Sequence, residues 1–217
     1  MNSIATSMRG WPFRGFLAVL LLLAWAGVAW AQSEPTIVRV EEDWELVIGT
    51  PDPDTDAPQV TCAISPTGNL EGWHAALELN QQGLPVYAAG GLQLQVWEGD
   101  VAVSDRRFPN GAVLATPGEV IQWTQSMILD GGNLTFEVVT GTSTTWGAFG
   151  GQGYLKAAVA STLGNLNAYS PAVSAANSGV SYAANRVQSL TLKRVRYFTS
   201  TGAQTEDNTA RVVHGQE

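Results

Sequence analysis

The chain has 217 residues, with 11 Lys and Arg against 19 Asp and Glu, which gives a net charge of −8 at pH 7. This acidic balance argues against a protein that binds nucleic acid by neutralising phosphates. Hydrophobic residues make up 45% of the chain and charged residues 14%, which excludes a disordered chain. The single cysteine excludes an internal disulfide framework and a cysteine-based zinc cluster.

Residues 1–31 have the pattern of a secretory signal peptide. Two arginines precede an apolar run from Phe16 to Ala31, which ends in the small-residue pattern Ala-Trp-Ala. This run is shorter than the roughly 20 residues that a membrane-spanning helix needs, so we predict cleavage after residue 31 rather than an uncleaved anchor. The sequence therefore predicts an exported protein, extracellular, periplasmic or at the cell surface, that does not associate with the membrane after cleavage.

The first predicted strands lie at 36–40 and 43–48, and a run that alternates proline and aspartate follows them. Asp52, Asp54 and Asp56 supply three carboxylates that could converge on a calcium ion through oxygen ligands. The run lacks the glycine and the closing glutamate of an EF-hand loop, so a solvated turn rich in Pro and Asp is the alternative.

Short alternating apolar runs followed by Gly, Pro or Asn recur through the rest of the chain, and alternation indicates strands. The further predicted strands are 59–65, 74–80, 91–98, 119–129, 133–140 and 187–198. Asp130-Gly131-Gly132 joins two of them and predicts a hairpin. The last strand changes phase near Lys193-Arg194, which predicts a β-bulge. About nine short strands predict an all-β fold, an antiparallel two-sheet β-sandwich over residues 32–199.

Two segments do not fit this pattern. Residues 157–185 contain no ionisable side chain apart from tyrosine and are rich in Ala, Ser, Asn and Gly. So long a segment is either functional or hides a further element of secondary structure. Residues 200–217 are polar, and we predict a mobile C-terminal tail.

A row of polar side chains on the strand 91–98 is the candidate ligand site. If Leu92, Leu94 and Val96 face the core, Gln93, Gln95 and Trp97 face outward. Amides offer donors and acceptors to sugar hydroxyls, and an indole offers a flat apolar face to a sugar ring.

Gln122, on the polar face of a later strand, could extend this surface. The alternative for the whole row is that Trp97 packs beneath a loop or a second sheet.

Catalysis of glycoside hydrolysis would require two carboxyl groups close together. The only pairs that the sequence suggests are Glu98 with Asp100, and Glu119 with Glu137, which could face each other across the predicted hairpin. Neither pair belongs to a dense acidic strand, so we interpret both as solvated surface charges.

Four features of the sequence belong together: the string of antiparallel strands, the Trp-Glu-Leu-Val-Ile run at 44–48, the Gly-Gly-Leu-Gln-Leu-Gln-Val-Trp strand at 90–97 and the strand at 185–192. In these features the chain resembles the concanavalin A-like lectin/glucanase group. The resemblance covers most of residues 36–198. It implies a jelly-roll sandwich, and this group includes sugar-binding lectins, glucanases, lyases and adhesion modules. The acidic catalytic strand that the group's glucanases carry is missing from this sequence.

These observations lead to three hypotheses. The first is a secreted, non-catalytic β-sandwich that binds carbohydrate or another surface component. The second is a polysaccharide-degrading enzyme, either a hydrolase or a lyase. The third is a structural component of the cell envelope, assembled through sheet edges or through the uncharged segment. The predicted partner is a glycan or an envelope component.

Overall fold

The computed structural model describes residues 35–50, 58–80, 91–108, 114 and 116–216, which belong to one compact unit. The predicted leader and Asp52, Asp54 and Asp56 lie outside these residues. The strands are β1 (Ile37–Ile48), β2 (Gln59–Ile64), β3 (Trp73–Leu79), β4 (Leu92–Glu98), β5 (Val101–Phe108), β6 (Val120–Asp130), β7 (Asn133–Ser143), β8 (Gly147–Phe149), β9 (Lys156–Ala160), β10 (Gly179–Ser181), β11 (Val187–Thr199), β12 (Gln204–Asp207) and β13 (Arg211–Gly215). The short helix α1 (Pro171–Ala176) and a 3₁₀ turn (Ala184–Arg186) complete the fold.

The strands form two antiparallel sheets. The eight-stranded sheet has the order β12-β11-β1-β6-β7-β8, with β13 also paired to β11 and β9 also paired to β7. The five-stranded sheet has the order β10-β2-β3-β4-β5. The prediction of an all-β, two-sheet sandwich is confirmed, whereas the resemblance to the lectin/glucanase group stays a prediction.

One apolar core fills the space between the sheets, and strand alternation builds it. Leu92, Leu94 and Val96 of β4 are buried in the same cluster as Leu46 and Phe136 of the other sheet. Each large aliphatic side chain buried in this way contributes about 1.5–3 kcal/mol relative to an exposed one. The five-stranded sheet therefore turns its apolar face inward and its polar face away from the core.

The predicted hairpin and the predicted bulge are both confirmed. Gly131 and Gly132 have φ of 54° and 80°, the left-handed conformation that a two-residue hairpin turn between Asp130 and Asn133 requires. In the pairing of β1 with β11, Asp43 is opposite Arg194 but Trp44 is opposite Leu192. Lys193 is therefore the extra residue of a bulge, which explains the change of phase.

The uncharged segment is ordered rather than an open loop. It runs from the end of β9 through α1 and β10 to the 3₁₀ turn. The amide of Leu166 donates to the carbonyl of Ile37, and the amide of Ile37 donates to Asn167 Oδ1 at 2.8 Å. These hydrogen bonds attach the segment to the start of β1.

The C-terminal tail differs from the prediction. It forms β12 and β13, which pair with β11, so the expectation of a mobile tail is wrong. Arg211 Nη2 lies 2.6 Å from Asp207 Oδ2, and this ion pair joins the two strands. Both strands are short and mostly exposed, and backbone pairing orders them. Because few of their side chains are buried, their sequence shows little apolar alternation.

The two strands predicted at 36–40 and 43–48 are a single strand. Glu42, between the two predicted segments, lies inside the sandwich. Its carboxyl group is fully buried and accepts three hydrogen bonds: Trp44 Nε1 at 2.9 Å and Gln125 Nε2 at 2.7 Å donate to Oε2, and Tyr169 Oη at 2.6 Å donates to Oε1. Burial raises the pKa of Glu42, although the donors act in the opposite direction. Tyr169 belongs to the uncharged segment, which this carboxyl group therefore anchors to the core.

The substitution Tyr169→Phe tests this anchor. We expect it to lower the free energy of unfolding by about 1–2 kcal/mol, because Glu42 loses a donor that water cannot replace. Urea unfolding followed by circular dichroism measures the change. Tyr182→Phe is the matched control, since the Tyr182 side chain is 63% exposed; an equal effect of the two substitutions would contradict the assigned role of Tyr169.

Candidate functional site

The predicted row of β4 lies on the outer face of the five-stranded sheet. Trp97 and Gln95 are partly exposed there, whereas Gln93 is only 1% exposed. The structure therefore offers two of these three side chains to solvent and encloses the third.

Gln95 and Trp97 line a groove of about 370 Å³ on this face, which we call the indole groove. Cross-strand register explains why a depression forms. Ala63 of β2 is opposite Ala76 of β3, which in turn is opposite Gln95. The small side chains of these two neighbouring alanines form the floor of the groove. Larger side chains lie on either side of it along the strands, at the position of Trp97 on one side and of Glu78 on the other. The other lining residues are Thr61, Leu70, His74, Gly99, Asp100 and Asn177.

The wall at one end of the groove is aromatic. Trp97 is opposite His74 in the pairing of β4 with β3, and the two rings are parallel within 6° with centroids 6.3 Å apart. His74 Nδ1 donates to the carbonyl of Gly72 at 3.1 Å, which fixes the imidazole ring. The partly exposed indole therefore rests against a ring that is itself held in place.

Glu78 stands at the other end of the floor and is largely buried. No cation from the described residues pairs with it, and burial raises the pKa of its carboxyl group to about 7. A carboxyl group of this kind exchanges its proton near neutral pH.

The rim on the β2 side comes from the part of the uncharged segment that follows α1. Ser178 Oγ accepts a hydrogen bond from the amide of Ala63 at 2.9 Å and donates to the carbonyl of Ser174 at 2.7 Å. Asn177 Nδ2 donates to the carbonyl of Val173 at 2.8 Å. The segment therefore holds Asn177 at the edge of the indole groove.

Gln122 does not extend this surface, so that part of the prediction is wrong. β6 pairs with β1 and β7 in the eight-stranded sheet, whereas β4 belongs to the other sheet. Gln122 lines a separate groove of about 500 Å³ together with Asp43, Glu45 and Arg194.

The charges of this second groove pair with one another. The carboxylate of Asp43 accepts hydrogen bonds from Arg194 Nε at 2.7 Å and from Arg196 Nη2 at 2.9 Å. The carboxylate of Glu45 accepts hydrogen bonds from Lys193 Nζ at 3.2 Å and from Gln122 Nε2 at 2.7 Å. The two tryptophans beneath it, at positions 44 and 123, are almost fully buried. Among its described lining residues, the second groove therefore offers neither an unpaired charge from these acids nor an exposed aromatic ring.

The two acids proposed to face each other across the hairpin are far apart along it. Glu119 precedes β6 and accepts a hydrogen bond from Ser143 Oγ at 2.5 Å, near the open end of the hairpin. Glu137 is opposite Ser126 and pairs with Lys156 Nζ at 3.0 Å. Each carboxylate therefore has its own local partners, and the pair does not form a catalytic dyad.

Neither a cluster of metal-ligating side chains nor a long apolar helix occurs within the described part of the chain. No group of three His, Cys, Asp or Glu side chains there is close enough to share a metal ion. The calcium prediction concerns Asp52, Asp54 and Asp56 and stays a prediction. Among the described residues, no helix has both the length and the apolar character that crossing a bilayer would require.

The sequence prediction missed Glu78, His74 and the two alanines of the floor. Their signal was present, since Leu77 and Leu79 facing inward also turn Glu78 outward. Pairing of β3 with β4 could not be read from alternation alone, because the two strands are separated by a connection of 12 residues.

Comparison with known proteins adds no assignment. No protein-family model matches the chain, and no curated protein is significantly similar to it.

The substitution Glu78→Gln tests the surroundings of the carboxyl group. The raised pKa means that the folded protein binds this proton more tightly than the unfolded chain, so Glu78 lowers stability as pH rises from about 4.5 to above 7. We expect Glu78→Gln to raise the free energy of unfolding at pH 8 by up to about 3 kcal/mol and to change it little at pH 4.

Urea unfolding at the two pH values measures this difference. Glu98→Gln is the control, because Glu98 is exposed at the end of β4. A Glu78→Gln protein with the same pH dependence as the wild type would show that the carboxyl group is not enclosed as described.

Proposed function

We propose that the protein is an exported, non-catalytic β-sandwich that binds carbohydrate in the indole groove. The observation that carries this proposal is the partly exposed Trp97, which stands beside Gln95 over a floor of two alanines. The face of an indole packs against the C–H side of a sugar ring, and the carboxamide of Gln95 offers a donor and an acceptor to the hydroxyl groups.

The shape of the groove supports a short stretch of a saccharide chain as the ligand. The floor of Ala63 and Ala76 lies across β2 and β3, between the level of Trp97 and the level of Glu78. The level of Glu78 is four residues from that of His74, a distance of about 13 Å at roughly 3.3 Å per residue. A groove between these two levels accommodates a short oligosaccharide.

The alternative, a polysaccharide-degrading enzyme, has less support. Among the described residues, the carboxyl groups that line the groove belong to Glu78 and Asp100. Glu78 is opposite Gln93 in the pairing of β3 with β4. The end of β4 at Glu98 is about 17 Å further along the strand, and Asp100 follows it. Glycosidases hold their two carboxyl groups about 5–9.5 Å apart, so this spacing favours binding over hydrolysis.

The substitutions Trp97→Ala and Ala76→Trp test the proposal from opposite directions. Trp97→Ala removes the aromatic wall, and Ala76→Trp fills the groove without entering the core, because Ala76 faces outward. We expect each to weaken binding at least about tenfold, a loss of roughly 1.4 kcal/mol. A glycan array identifies the ligand, and isothermal titration calorimetry measures the affinity.

Ala158→Trp is the matched control, since Ala158 is exposed on β9 of the other sheet. It should bind like the wild type. Equal affinity of all four proteins would remove the groove as the binding site, and hydrolysis of the bound polysaccharide would favour the enzyme instead.

A further inference from the structure

An exposed tyrosine lies beyond the β2 side of the indole groove. Tyr182 directly follows β10, the strand that pairs with β2 at the edge of the five-stranded sheet. Tyr182 is 63% exposed, more than Trp97 and more than every other aromatic side chain that the structure describes. A ligand on this face of the molecule can therefore reach the phenol ring.

The backbone conformation at this tyrosine is unusual. Among the described residues, only Asn80, Tyr182 and Ala183 have a positive φ without being glycine, and φ is 53° at Tyr182 and 37° at Ala183. Bulky residues avoid this left-handed region for steric reasons. Val180, two residues earlier, packs against the core, and strand alternation would turn Tyr182 to the same side. The left-handed turn instead leaves the ring in solvent, and strained residues of this kind cluster at binding sites.

The outer surface is open between the groove and this tyrosine. Thr61, which lines the groove, is opposite Gly179 in the pairing of β2 with β10, and Gln59 is opposite Ser181. Gly179 and Ser181 therefore continue the outward face of the sheet. A Cβ atom placed on Gly179 would meet no other atom within 4 Å, and Ser181 is exposed. No large side chain of β10 therefore separates the groove from Tyr182.

The two exposed rings lie on a diagonal across four strands. Four residues separate the level of Trp97 and His74 from that of Glu78, and three more lead from Gly179 to Tyr182, about 23 Å in all at roughly 3.3 Å per residue. Crossing from β4 to β10 adds three strand spacings of about 4.8 Å each. The two aromatic residues are therefore about 27 Å apart. An extended hexasaccharide spans this distance, whereas a tetrasaccharide does not.

We propose that Tyr182 is a second aromatic contact for the saccharide, so that the protein binds an extended chain that runs from Trp97 across the sheet to the end of β10. This inference rests on the proposed function, because it lengthens the same binding site. The phenol ring packs against the C–H side of a sugar ring, and its hydroxyl group both donates and accepts hydrogen bonds. Both rings contact one ligand, so the second contact forms within the complex and increases the affinity of long chains alone.

Calorimetry with β-1,4-linked oligomers of glucose, xylose and mannose, each with four and with six units, tests this proposal. The wild type should bind at least one hexamer, and bind it at least about tenfold more tightly than the matching tetramer. Tyr182→Ala should reduce this gain to about threefold or less, because alternative registers of a hexamer on the remaining site give no more, and should leave the affinity for the tetramer unchanged.

Two further variants separate the ring from other effects of substitution. Tyr182→Phe keeps the ring and should retain most of the gain from tetramer to hexamer. Val212→Ala is the matched control, since Val212 is 70% exposed on β13 of the other sheet, and it should bind like the wild type. Urea unfolding confirms that each variant is folded.

The proposed function and the second contact fail in different ways. Absence of binding to every oligomer overturns the proposed function and the second contact with it. Equal affinity for tetramer and hexamer, or a gain that Tyr182→Ala leaves unchanged, overturns the second contact and leaves the proposed function standing. An equal loss of the gain in Val212→Ala also overturns the second contact.

Discussion

Two apolar sheet faces are buried against each other, and this burial determines which side chains of each strand reach solvent. Because side chains alternate along a strand, enclosing Leu94 and Val96 in the core turns Gln95 and Trp97 to the outside. A register slip of one residue would exchange the two sets, so the hydrophobic energy of the core also fixes the orientation of the indole. The groove itself arises where the outward residues are small, as at Ala76.

A buried carboxyl group connects the core to the rim of the groove. Glu42 accepts a hydrogen bond from Tyr169, and the chain continues from this tyrosine through α1 to Asn177 at the groove edge. Within this segment Leu166, Tyr169 and Ser174 are buried, whereas most of the other side chains reach solvent. The interior carboxyl group and the shape of the proposed site are therefore linked through a single ordered segment.

Local patterns predicted the parts of the fold that local chemistry determines. Alternation indicated most of the strands, the glycines after Asp130 indicated the hairpin, and the change of phase indicated the bulge at Lys193. Strand pairing depends on contacts distant in sequence, so Gln122 was assigned to the wrong surface and Glu78 was overlooked. The strands of the C-terminal tail were missed because β11 orders them through backbone pairing, with few buried side chains.

In the proposed complex, a saccharide contacts the outer face of the five-stranded sheet at Trp97. Titration of the isotope-labelled protein with the oligosaccharide that it binds, followed by two-dimensional amide NMR, tests this claim most directly. If the saccharide binds there, the signals of the Trp97 indole N–H, the Gln95 carboxamide and the Ala76 amide shift together with a single affinity. Shifts that cluster instead at Gln122 and the second groove would contradict it.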